Sequence, residues 1–197
     1  MFKAGVEWIK EKTNPITIIK DIEGNRDNPN SDSIQTGSND CNAKVDSSSD
    51  YAQISSIGYY DHISSSGNST KIGSSGNSAQ ICSSGDSVLI GSIGDYTKIN
   101  SNGCNVQISS SGYYTKISSS GDFAQINSTG EYSVICCAGN NSRVKAKIGS
   151  WVTLSEWKYS AEKKCNIPVC VKTEYVDGKR IKEYTWYQLI NGEFTEI

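Results

Sequence analysis

From Tyr51 onward, a single isoleucine recurs every nine residues in an otherwise small and polar chain: Ile54, Ile63, Ile72, Ile81, Ile90, Ile99, Ile108, Ile117, Ile126 and Ile135. Val45 and Val144 extend the register by one unit at each end. Two residues after each isoleucine comes a serine, from Ser56 to Ser128, with Cys137 in the last unit. Four residues after it comes a glycine, from Gly58 to Gly139. Two residues before it stands mostly a small or β-branched side chain, such as Ala52, Thr70, Val88, Thr97 or Ser133. Positions −2, 0 and +2 share one face of a strand, because successive side chains alternate sides. Each nonapeptide therefore predicts a short strand and a turn, with glycine at +4 supplying an unusual corner dihedral where a Cβ clashes. One isoleucine per strand makes no core by itself. The chain must coil and stack isoleucine on isoleucine, with parallel strands satisfying the backbone and the inward serines bonding the turns.

Paired nonapeptides predict an all-β fold, a two-sided right-handed β-solenoid with 18-residue coils; a three-sided coil of 27 residues is the alternative. In the two-sided form the corner residues sort by parity. One edge collects Tyr59-Tyr60, Asn77-Ser78, Asp95-Tyr96, Tyr113-Tyr114 and Glu131-Tyr132. The other collects Asp50-Tyr51, Asn68-Ser69, Asp86-Ser87, Cys104-Asn105, Asp122-Phe123 and Asn140-Asn141. Tyrosines concentrate on the first edge, which favours the 18-residue coil.

A solenoid needs caps over its open ends. Residues 1–44 are expected to form an N-terminal cap and polar loop: a short amphipathic helix over Phe2–Lys12, a strand around Ile16, Ile18, Ile19 and Ile22, and a loop from Asp21 to Asp40. Residues 45–149 form the solenoid. Residues 150–197 read as an antiparallel β-meander: a strand over Trp151–Tyr159, strands Ile167–Val176 and Arg180–Ile190 around an Asp177-Gly178 hairpin turn, then Asn191-Gly192 and a last strand, Glu193–Ile197. Trp151, Trp157, Trp186, Tyr184 and Tyr187 are expected to form the core of that cap or its contact with the last coil.

Composition narrows the chemistry. Of 197 residues, 36% are hydrophobic, and 19 basic against 21 acidic side chains leave a formal charge of −2. No run of about 18 apolar residues exists to span a membrane, and the balance excludes a strongly basic nucleic-acid binder. The first residues carry Lys3, Glu7, Lys10, Glu11 and Lys12, with no apolar signal-peptide core. The seven cysteines include no C-x-x-C pair and read as reduced thiols in a cytoplasm.

The Ser-Ser-Gly nonapeptides, followed by GSWVTLSEWKY, NIPVCVKTEYVDGKRIK and TWYQLINGEFTEI, resemble a group of β-solenoid proteins from prophages and mobile elements of anaerobic bacteria. The resemblance runs from Val45 to Ile197. It implies this fold and a mobile-element setting, and it brings no activity and no catalytic residue.

The chemistry-bearing residues do not assemble into a catalytic set. His62, the single histidine, occupies an outward −1 position otherwise held by Gln and Lys, and it leaves neither a nucleophile–base pair nor a zinc site. Cys82 and Cys136 lie outward and three coils apart. Calcium needs six to eight oxygens per ion, and only Asp86, Asp95 and Asp122 follow a repeat glycine. Ice binding wants a uniform outward array, but the −1 and +1 positions are mixed. Between Val45 and Ile148, seven acidic residues oppose six basic ones, too balanced to imitate a phosphate backbone or to bind one.

The expectation is therefore a protein that is not an enzyme, takes no cofactor and no metal, and acts by contact. Its partner is expected to be a host protein or nucleoprotein complex, with neither sequence-specific nucleic acid nor membrane as a ligand, and with a homodimer left open. The expected surface is Tyr59, Tyr60, Tyr96, Tyr113, Tyr114 and Tyr132, because tyrosines provide rigid amphipathic contact area. With the mobile-element resemblance, the expected role is inhibition of a host defence complex, of CRISPR or restriction type, in the host cytoplasm. A passive structural or surface module, of tail or adhesion type, is the alternative.

Overall fold

A computed structural model describes residues 18–20 and 35–197. The expected helix over Phe2–Lys12 lies outside them. After β1 (Ile18–Lys20) come thirteen strands of four residues each, β2 (Gln35–Ser38) to β14 (Arg143–Ala146). They wind into a β-solenoid of about seven turns with coils of about 18 residues, and no helix occurs among the described residues. Alternate strands fall into two sheets. One stacks Val45, Ile63, Ile81, Ile99, Ile117 and Ile135 as direct parallel partners; the other stacks Thr36, Ile54, Ile72, Ile90, Ile108, Ile126 and Val144. The two-sided coil is the observed one. The register also reaches one unit further back than the isoleucine pattern does: Thr36 pairs with Ile54, so part of the expected polar loop is strand.

The alternation of burial along each strand is the predicted one, with isoleucine and serine inward and the −1 and +1 residues outward. The isoleucines form a continuous core between the sheets. The corner works differently from the sequence expectation. The repeat glycines do not carry a positive φ; that conformation falls two residues later, on Tyr60, Ser78, Tyr96, Asn105, Tyr114, Phe123 and their equivalents, with φ near 60°. Glycine is required for space. A Cβ on Gly103 would stand 1.9 Å from the carbonyl oxygen of Gly85, the residue one coil below, and the same close approach, 1.7–2.0 Å, recurs from Gly58 to Gly139.

The inward serines also depart from expectation. Ser56 donates to the Ser38 carbonyl and to Asp61, Ser65 to Thr70 (3.3 Å) and Ser128 to Ser133 (3.1 Å). Each such side-chain partner lies five residues on, at the −2 position of the next strand. Ser74, Ser83, Ser92, Ser101, Ser110 and Ser119 find no hydrogen-bond partner among the described residues. The reason is what stands at that −2 position. It is Ala79, Val88, Val106 or Ala124 for four of them. For Ser92 and Ser110 it is a threonine whose hydroxyl is turned to another partner: Thr97 donates to the Gly94 carbonyl (2.8 Å), and Thr115 bonds Ser133 (2.8 Å).

At the C-terminal end the chain closes each sheet with a separate hairpin rather than one meander. β15 (Trp151–Ser160) continues the first sheet beside the strand of Ile135 and returns as β16 (Cys165–Tyr175). β17 (Tyr187–Ile190) joins the second sheet beside Val144 and pairs with β18 (Glu193–Glu196) through an Asn191-Gly192 turn with φ of 53° and 75°, as the dipeptide predicts. Asp177-Gly178 is not a hairpin turn. The Asp177 carboxylate accepts the backbone N–H groups of Lys179 (2.8 Å), Arg180 (2.9 Å) and Ile181 (3.1 Å), and these bonds hold its pKa below the ordinary value. That loop carries the chain from one sheet to the other, because both sheets end in an open strand and one meander covers only one. Of the five aromatics expected in the cap core or at its contact with the last coil, Tyr187 is buried in the core, which is otherwise aliphatic with Val152, Leu154, Val176, Ile181 and Leu189. Trp157 and Trp186 touch the last coil, Trp157 by donating to the Ala138 carbonyl (2.9 Å). Trp151 and Tyr184 are exposed, and Trp186 lies under the cations of Arg143 (5.1 Å) and Lys145 (5.0 Å).

Two expected outcomes test this account by thermal melting. Gly103→Ala should cripple the fold, whereas Gly91→Ala, whose Cβ would meet nothing closer than 4.0 Å, should melt within a few degrees of the parent. Ser83→Ala should be at least as stable as the parent, since it removes a buried hydroxyl without a partner, whereas Ser65→Ala should lose about 1 kcal/mol with its bond to Thr70.

Candidate partner-binding edge

The two edges of the solenoid are chemically different. On the edge where the chain passes from the first sheet to the second, the residue after each glycine is mostly Asp or Asn, and its side-chain oxygen accepts the backbone N–H of its counterpart one coil above. Asp50 bonds Asn68 (2.7 Å), Asn68 bonds Asp86 (2.9 Å), Asp86 bonds Cys104 (2.7 Å) and Asp122 bonds Asn140 (2.7 Å). This edge is polar, with Tyr51 and Phe123 as its exposed aromatics.

The opposite edge carries all six tyrosines of the sequence expectation, of which the structure stacks three, Tyr96, Tyr114 and Tyr132. Tyr60, Tyr96, Tyr114 and Tyr132 occupy the positive-φ position, and Tyr59 and Tyr113 the position before it; all six are exposed. Tyr96 stacks on Tyr114 at 5.2 Å and 9°, and Tyr114 on Tyr132 at 5.3 Å and 17°. The far face of Tyr132 meets Gly149, where a Cβ would stand 3.3 Å from the ring. Beside this column, Glu131 pairs with Lys147 at 2.9 Å, and that bond holds the lysine ammonium above its usual pKa.

Two residues of this edge were not singled out in the sequence, Ile57 and Ile93. Both stand at position +3, where neighbouring units have Ser, Asn, Thr or Ala, and both are exposed beside the tyrosines. The signal was available, since they are the two large apolar residues at that position and both fall on one edge. A third residue missed is Asp61. It occupies an inward −2 position and is fully buried, with one carboxylate oxygen accepting the Ala43 N–H (2.9 Å) and the other the Ser56 hydroxyl. Burying Asp61 leaves the surface acids and bases of residues 45–148 in balance.

Chemistry elsewhere is sparse. His62 and Cys82 are exposed on the outer face of the first sheet. Burial pushes the Cys137 thiol far up in pKa, away from the thiolate that a nucleophile needs. No group of three or more His, Cys, Asp or Glu side chains converges on a metal site among the described residues. An open trough of about 750 Å³ runs over the second sheet where Gly37, Gly73 and Gly91 leave the outer face bare.

The stacking has a measurable consequence. Tyr114→Ser removes two ring contacts and should lower stability by about 1–3 kcal/mol, read as a drop in Tm. Tyr60→Ser removes a ring that stacks on no other described residue and should melt close to the parent.

Comparison with family models, curated proteins and solved structures returned no match to this chain.

Proposed function

We propose that the protein is a non-catalytic binding protein of a mobile genetic element, which docks on a host defence complex through its tyrosine edge and blocks it. The observation that carries this reading is the uneven distribution of exposed apolar side chains. Ile57, Ile93 and six tyrosines line one edge, while the other edge exposes Tyr51 and Phe123 on a longer Asp/Asn ladder. A shared fold does not require this difference, because the backbone of both edges is the same.

Strain points the same way. A bulky residue at positive φ is uncommon and costs on the order of 1 kcal/mol. Asn42, Asn105 and Asn141 meet that demand at lower cost. Aromatic residues carry that cost four times on the tyrosine edge, at Tyr60, Tyr96, Tyr114 and Tyr132, and twice on the other, at Tyr51 and Phe123. Rigidity adds to it: the rings sit on a backbone bonded coil to coil, so little conformational entropy is lost on docking. The balanced surface charge leaves shape and aromatic contact to provide affinity, which suits a protein surface better than a nucleic acid. The nuclease-type target, a CRISPR effector or a restriction enzyme, is the one a rod suits by shape, since a rod can occupy a nucleic-acid channel, and the mobile-element resemblance supplies only the setting.

The competing reading is a structural module in which the tyrosines only stabilise their own column, and the Tyr96–Tyr114–Tyr132 stack favours it. Pull-down from host lysate separates the two readings. The parent should retain a defence complex and suppress its nuclease activity. The combined Tyr60→Ser, Tyr96→Ser and Tyr114→Ser variant, shown to be folded by circular dichroism, should lose both. If the folded variant binds and inhibits like the parent, the edge is scaffold.

A further inference from the structure

One row of the tyrosine edge is built unlike its neighbours. Residues 75–78 read Ser75-Gly76-Asn77-Ser78, between Ile57-Gly58-Tyr59-Tyr60 below and Ile93-Gly94-Asp95-Tyr96 above. The backbone of this row is bonded to both neighbours. The Tyr60 N–H donates to the Asn77 carbonyl (3.0 Å), and the Ser78 N–H to the Asp95 carbonyl (2.7 Å). The Asn77 side-chain oxygen also accepts the Asp95 N–H (2.9 Å). Coil spacing is therefore kept while the side chains fall short. The result is a notch with half-buried Asn77 and Ser78 as its floor. Its walls are Ile57 and Tyr60 on one side and Ile93 and Tyr96 on the other, 57%, 58%, 66% and 59% exposed.

The width of the notch follows from the repeat. Tyr60 and Tyr96 share one position and nearly one φ, 62° and 58°, and stand two coils apart. Their Cα atoms are therefore about 10 Å apart along the axis, two strand spacings, and rings that leave the backbone in parallel, as those of Tyr96 and Tyr114 do, stand as far apart. A ring midway lies about 5 Å from each, inside the range of roughly 4.5–7 Å in which aromatic pairs attract. The adjacent column demonstrates that spacing, with centroids 5.2 and 5.3 Å apart. The column thus runs Tyr60, gap, Tyr96, Tyr114, Tyr132, and the gap is one aromatic ring wide.

We propose that this notch receives an aromatic side chain of a protein partner, tryptophan or tyrosine, held between Tyr60 and Tyr96; this rests on the reading of the edge as the partner-binding surface. The Ser78 hydroxyl makes no hydrogen bond to any described residue, and its oxygen can accept from an indole N–H or a phenol O–H. Ile57 and Ile93 extend the walls with apolar surface for the rest of the inserted residue. Charge selects against a nucleotide. Asp95 lies in the row above with its carboxylate accepting the Tyr113 N–H (2.8 Å), and Lys98 follows Tyr96 by two residues on the outward face of the next strand, so a phosphate finds no excess positive charge.

The test uses the full chain and N-acetyl-tryptophanamide as the probe, followed by NMR. The expected result is saturable binding that shifts the ring signals of Tyr60 and Tyr96. Ser78→Tyr completes the column, and since Ser78 already has the φ of 60° that Tyr96 tolerates, it should fold with an equal or higher Tm. It should weaken the probe by about tenfold or more. Tyr60→Ser removes one wall and should weaken it likewise, while Ser87→Tyr on the polar edge should not. Failure of the probe to bind, parental affinity in folded Ser78→Tyr, or equally tight binding of adenosine monophosphate overturns the proposal. Partner pull-down distinguishes this from the wider reading. If Ser78→Tyr keeps the partner and the triple tyrosine variant loses it, the notch is wrong and the edge stands; if both keep it, the edge reading falls.

Discussion

Everything in this molecule depends on how closely one coil can lie on the next. The corner backbone of each unit passes so near the unit 18 residues earlier that a Cβ on Gly103 would stand 1.9 Å from the Gly85 oxygen. That contact lets the corners bond as a ladder, with the Asn105 N–H reaching the Asp122 carbonyl at 2.8 Å and the Tyr96 N–H the Tyr113 carbonyl at 2.8 Å. The strands then meet in perfect register, isoleucine on isoleucine. Glycine acts here by being small, while the left-handed conformation is passed on to the bulkier residue two positions later.

The same regularity limits what the core can satisfy. A buried hydroxyl needs a partner, and stacking provides few, because equivalent side chains in adjacent coils are about a strand spacing apart; the Thr115–Ser133 bond across one coil is an exception. Serines are satisfied where the next strand brings Asp61, Thr70 or Ser133 opposite, and otherwise left alone. The ends pose the opposite problem, since each sheet stops at an open strand. Two hairpins linked by the Asp177 loop close both sheets, and an Arg180 ion pair with Glu174, which lowers the Glu174 pKa, ties that loop to β16.

A stack this rigid offers its edges as fixed arrays. Identical backbone on both edges means that side-chain choice alone distinguishes them: mostly Asp and Asn turned back onto the backbone on one, mostly rings and isoleucines turned outward on the other. The binding reading draws on that contrast. The notch draws on its local interruption, for a periodic array makes a missing side chain into a cavity of defined width.

The nine-residue period determined most of this structure in advance. It required strands of the observed length, placed Ile99 and Ile108 inside and His62 and Cys82 outside, and sorted the tyrosines onto one edge through corner parity. These features follow from spacing alone, because an 18-residue coil brings equivalent residues together whatever surrounds them. What the period could not reveal was how unlike residues meet. The place of Thr36 in the ladder, the partners of individual serines, the burial of Asp61 and the division of the cap between two sheets all rest on contacts across coils. In the cap, Asp177-Gly178 is a sound turn signal that pairs no strands, since the open edge of the second sheet offers β17 the better partner. The notch too belongs to the tertiary structure. Ser78 is one small residue among many in the sequence, and only the stacking of its neighbours gives it walls.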